Sequence, residues 1–142
     1  MTSRTDPAAA AAAVYRAHAG DRDWLDAFSA CLDRHRAGQA LSRILAAWGL
    51  SQAEAARLFG VTRQALAKWL DRGPPAERAE SIADLAAATD LLLHYLKRER
   101  IPAVVRRAAP ALGGRSLLDL LGQGRSRAVL EACRDMFAFE HG

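Results

Sequence analysis

The sequence predicts an all-α protein, a helical bundle, on three observations. Alanine and leucine dominate, with few β-branched runs and no alternating strand pattern. Apolar residues instead recur at three- and four-residue steps. Helix caps and Gly or Pro stops punctuate those runs. At 142 residues the chain holds one domain or two small helical ones. Three stretches follow: an N-terminal extension over 1–37, a central region over 38–75, and a long helix plus C-terminal module over 76–142.

Pro7 followed by Ala8 to Ala13 is a strong helix start. With few large side chains to bury, this first helix is expected to fray or to dock only in an oligomer. Asp21-Arg22-Asp23 opens a second helix. Its Trp24, Leu25, Phe28, Cys31 and Leu32 form one apolar face, which predicts packing. Gly38 reads as a break, and Leu41, Ile44, Leu45 and Trp48 form the next helix, stopped by Gly49. Trp48 is expected to back the second helix of the stretch that follows.

The most specific chemistry lies between Leu50 and Leu70. Ser51 with Glu54 is a capping box, so a helix starts there. Gly60 supplies the tight turn, and Thr62 caps a second helix. That helix turns Leu66, Trp69 and Leu70 inward and Arg63, Gln64 and Lys68 outward, and Gly73-Pro74-Pro75 ends it. An ordinary helical hairpin would pack equally well, but it has no need of Arg, Gln and Lys along one exposed side. In a helix-turn-helix that side enters the major groove, where Arg matches guanine and Gln matches adenine. Ser51, Gln52, Thr62, Arg63, Gln64 and Lys68 are therefore the candidate DNA-binding residues.

A long helix is predicted from about Ala76 to Arg98, with Ile82, Leu85, Thr89, Leu92, Leu93 and Leu96 facing the core. Ala88, Leu91 and Tyr95 form a second patch, which fits either a dimer seam or a helix sandwiched between neighbours. Lys97 to Arg100 end the helix with positive charge. A Gly-Gly turn at 113–114 then feeds a short leucine helix. Ser126 is placed to cap a final helix whose Val129, Leu130, Cys133, Met136 and Phe137 share one face.

The formal net charge of +4 favours an anionic partner. Arg100, Arg106, Arg107, Arg115 and Arg125 read as a solvated face or as an anionic docking surface. No apolar run is long enough to span a bilayer, and the N-terminus does not resemble a secretory signal. Cys31 and Cys133 lack metal-ligand spacing and read as buried small hydrophobes in a reducing cytoplasm. His18 and His35 sit near helix ends and His94 beside charges, all as solvated side chains. The glycine-rich turns lack the spacing of a nucleotide loop. No nucleophile, general base or paired carboxylates fall at plausible positions, so neither an enzyme nor a cofactor is expected.

The two halves together resemble the Xre/MbcA/ParS-type antitoxins. The likeness covers about Gln39 to Phe139. It rests on the phage-repressor-like helix-turn-helix, the long helix, the run Pro110-Ala111-Leu112-Gly113-Gly114-Arg115-Ser116-Leu117-Leu118-Asp119-Leu120-Leu121, and the terminal Val129-Leu130 helix. The resemblance implies an antitoxin of a type II toxin-antitoxin system, working as a homodimer or higher assembly. It implies repression of its own operator DNA and neutralisation of a cognate toxin, often a RES-domain enzyme that consumes NAD. By position, Leu112, Gly113, Gly114, Arg115, Phe137 and Phe139 are then the toxin-binding candidates. Arg115 would meet a carboxylate or an anionic-substrate pocket, or else bond turn carbonyls within its own chain. The alternative is a stand-alone transcriptional regulator whose tail serves dimerisation.

Overall fold

The computed structural model describes residues 4–138. The regular elements among them are helical: α1 (Pro7–His18), α2 (Arg22–Trp48), α3 (Gln52–Phe59), α4 (Arg63–Arg72), α5 (Ala79–Tyr95), α6 (Ile101–Arg106), α7 (Leu117–Gly122) and α8 (Ser126–Met136). Short 3-10 turns precede α5 and α6, and one isolated extended bridge pairs Ala109 with Arg115. The all-α class read from the sequence stands. None of the described helices is long and apolar enough to cross a membrane. The chain divides after Asp33 into two compact units.

In the N-terminal unit, Asp6 caps α1 by accepting from the Ala8 and Ala9 amides, and Asp21 accepts from Trp24 N–H at 3.0 Å. α1 contains no buried residue. Trp24 is sandwiched between the rings of His18, at 3.3 Å, and Phe28, at 5.2 Å. On the Trp24–Leu32 face, where packing was expected, Trp24 and Leu25 are half-buried, whereas Phe28 is 37% and Leu32 45% exposed. Cys31 is exposed too, against the expectation of burial.

In the C-terminal unit, α5 packs along α8, α7 braces both α8 and α3, and α6 lies on α7. The long helix expected from 76 is a 3-10 turn at Ala76–Arg78 followed by α5, and it stops at Tyr95. Ile82, Leu85, Thr89 and Leu92 are buried as expected, whereas Leu93 and Leu96 are half-buried. Trp48 is fully buried, and its indole N–H donates to Thr89 Oγ1 at 3.0 Å. Thr89 in turn donates to the Leu85 carbonyl at 2.7 Å. That relay satisfies two buried polar groups and ties α2 to α5.

Ala88 is buried and Tyr95 stacks on Phe137 at 4.6 Å, so these two members of the second α5 patch are covered by their own chain. On α8, Val129, Leu130, Cys133 and Phe137 are buried while Met136 is 43% exposed, outside the core face assigned to it. Burial pushes the Cys133 thiol up to about 12. Ser126 does not cap α8: it is the first helical residue, and its hydroxyl is hydrogen-bonded to Ser81 at 2.6 Å. The cap unread in the sequence is at α7, where Ser116 and Asp119 form a reciprocal capping box at 3.0 and 2.9 Å.

Candidate nucleic-acid interface

Gly38 does not break a helix. It lies inside α2, which continues through it to Trp48, and its missing side chain serves close packing. A Cβ there would sit 2.9 Å from the Trp69 carbonyl oxygen and 3.2 Å from Gly73 Cα. Gly73, at φ 98°, closes α4 and approaches α2 from the other side, where its own Cβ would lie 2.0 Å from the Arg34 carbonyl oxygen. Two glycines thus let the end of α4 touch the α2 backbone directly.

Between them stands the α3–α4 hairpin. Ser51 Oγ accepts from Glu54 N–H at 3.1 Å and starts α3. Gly60, at φ 68°, turns the chain in the left-handed region, with its N–H on the Ala56 and Arg57 carbonyls. Thr62 Oγ1 accepts from Ala65 N–H at 3.0 Å and starts α4. Leu66 and Trp69 are buried beneath α4, and Trp69 meets Phe59 edge-on at 6.0 Å. Arg78 lies 5.1 Å over the other side of this packing, on the Trp69 ring, and donates to the Phe59 carbonyl at 3.2 Å.

What remains outside is the ridge. Arg63, Gln64 and Lys68 are all exposed, as are Ser51, Gln52 and Thr62 at the two helix starts. The ridge spacing of one and four residues places Arg63, Gln64 and Lys68 on one side of α4. None of the three is drawn into an ion pair among the described residues. The ridge is thus a row of long hydrogen-bond donors and acceptors on a helix capped at both ends.

The return arm of the expected Ser51–Glu54 capping box is weak, because the Glu54 carboxylate is held by Arg106. The guanidinium makes two parallel bonds, at 2.8 and 2.9 Å, and also donates to the Gly49 carbonyl at 3.3 Å. Arg106 beside it holds the Glu54 carboxyl below the ordinary glutamate value, with Arg57 and the Ser51 amide contributing less; Arg106 itself is raised. The start of α3 is therefore fixed by a residue 52 positions away. Sequence reading placed Arg106 on a solvated or docking face and had no local signal for this pairing.

The second candidate set lies at 109–115 and on α8. Leu112 is half-buried, while Gly113, Gly114 and Arg115 are exposed. Both glycines are left-handed, at φ 68° and 80°, and the turn is closed by Ala109 N–H on the Arg115 carbonyl at 3.1 Å. Phe137 is 7% exposed, so its ring belongs to the core beside Tyr95 rather than to the surface. Phe139 lies outside the described residues. No three His, Cys, Asp or Glu side chains among the described residues are placed to hold a metal ion.

No family model matches this chain, and neither the curated proteins nor the solved structures contain a significant match.

Proposed function

We propose that the chain is a DNA-binding antitoxin of a type II toxin-antitoxin system, acting in the cytoplasm without catalysis or a cofactor. α3 and α4 serve as a helix-turn-helix whose α4 lies in the major groove of an operator. The observation that carries this reading is the unpaired Arg63–Gln64–Lys68 ridge on a helix capped at its start and wedged at its end. Thr62, Ser51 and Gln52 sit where helix starts meet phosphates. The Leu112–Arg115 turn is the surface offered to a cognate toxin, with a RES-domain NAD-consuming enzyme as the first candidate by resemblance. Self-assembly into a homodimer or higher assembly belongs to the same reading.

A stand-alone regulator is the second reading. The burial of Phe137 favours it, since one aromatic anchor assigned to the toxin is spent inside the chain.

A gel shift with the DNA upstream of the reading frame tests the first half. Binding is expected to weaken steeply with salt as phosphates shed counterions. Arg63→Ala and Gln64→Ala are each expected to lose about 1–3 kcal/mol of base discrimination. Unchanged operator preference in both variants overturns the assigned ridge. Co-expression with the product of the neighbouring reading frame tests the second half. Arg115→Glu should release that protein without altering the gel shift. Retained binding refutes the turn as the contact.

A further inference from the structure

Between the end of α3, the start of α5 and the α7–α8 turn lies a cavity of about 180 Å³ that neither the ridge nor the tail turn uses. Arg57, Arg78, Ser81, Leu121, Gly124 and Ser126 are among the residues that line it. We infer that this cavity is a binding site for a small phosphate-bearing ligand, inorganic phosphate or a compact phosphomonoester.

Arg57 and Arg78 both line this space, and no carboxylate residue is part of its wall among the described residues. Arg57 makes no hydrogen bond or ion pair among the described residues, and its charge acts only secondarily on Glu54, which Arg106 already holds. Arg78 spends a single nitrogen on the Phe59 carbonyl, so donors remain for a ligand. The Ser81 and Ser126 hydroxyls share one proton between them at 2.6 Å. Whichever donates, the other keeps a proton that can point at an oxyanion. The first turn of α8 opens on the same space without a side-chain cap, and its amides add partial positive charge.

Glu77, Glu80 and Asp84 line an adjoining groove that shares Ser81, Gly124 and Ser126 with this cavity, and Asp84 is paired there with Arg127 at 3.2 Å. Size sets the ligand class, because sites for drug-sized molecules run to about 300–1,000 Å³. The space suits a phosphoryl group with a short carbon stem rather than a whole nucleotide enclosed within it. Such a ligand would bridge α3 to the α7–α8 turn. A phosphate of duplex DNA presents the same chemistry, and the titration separates the two sources.

The test is a titration of the full-length ¹⁵N-labelled chain with sodium phosphate and with glycerol 3-phosphate, sodium chloride holding the ionic strength constant. Saturable amide shifts are expected at Gly122, Gly124 and Ser126. Arg57→Gln should weaken the apparent affinity roughly tenfold, the loss of one charge-assisted bond. Arg98→Gln, an exposed arginine that does not line the cavity, should leave it unchanged. Ser126→Ala is the second variant, again expected to weaken binding. Linear shifts, an equal response to chloride, or equal losses in Arg57→Gln and Arg98→Gln overturn the assignment. Saturation by duplex DNA but not by either phosphate overturns the free ligand. The site does not depend on the DNA-reading or toxin assignments, so it can fail or stand without them.

Discussion

Cys31 and Cys133 share a chemistry and differ only in surroundings. Cys31 is exposed, whereas burial keeps Cys133 protonated with its pKa near 12. A disulfide-exchange reagent should titrate one thiol rapidly in the native protein and two after denaturation. Two fast thiols would mean that α8 is not packed as described. Glu54 provides a pH signature. Its folded pKa is depressed by Arg106, so the stabilisation is present above the unfolded value and is lost as pH falls through the folded one. Glu54→Gln should lower the melting temperature at neutral pH, and the difference from the parent should shrink below the ordinary carboxylate range. Parallel melting curves from pH 7 to 3 check this, and a gap that does not change with pH would contradict it.

At the scale of elements, helix propensity and packing make opposite forecasts for Gly38. Alanine is the better helix former by about 1 kcal/mol, yet its methyl would strike the Trp69 carbonyl and Gly73, both backbone. Backbone cannot rotate away, so Gly38→Ala should destabilise by about 1–3 kcal/mol in chemical denaturation. A stabilised variant would show that α2 and α4 are further apart. Thr89→Val tests the other tie. It keeps the volume but strands the buried Trp48 N–H, at an expected cost of about 1–3 kcal/mol. These two sites show where sequence reading ends. The helix periods of α3, α4, α7 and α8 were legible because side chains three and four apart share a face. Gly38 read as a break because a glycine needed for contact looks locally like one needed for a turn. The Thr89 oxygen and the Ser126 hydroxyl looked like a core position and a cap because their partners, Trp48 and Ser81, are 41 and 45 residues away.

For the molecule as a whole, burial starts at Gly38 and ends at Phe137, and α1 with the first part of α2 contributes nothing to it. Removing residues 1–33 should therefore leave the melting temperature within about 3 °C, less than 1 kcal/mol on the usual scaling. A larger fall would mean that the exposed Tyr15, Phe28 and Leu32 are covered in solution. The ridge side chains were legible as a set, since outward polar positions on a capped helix follow from spacing alone. The cavity behind the hairpin was not, because its walls come from α3, α5 and the α7–α8 turn. The two glycines that let α4 meet α2 carry a last consequence. An arginine or glutamine on the ridge can be exchanged whenever the target sequence drifts, but no other amino acid fills either glycine position without prising two backbones apart. In a saturation library selected only for foldedness, the ridge should come back varied and both glycine columns nearly monochrome. A hunt for distant cousins of this chain is better anchored on that spaced pair than on the α4 ridge.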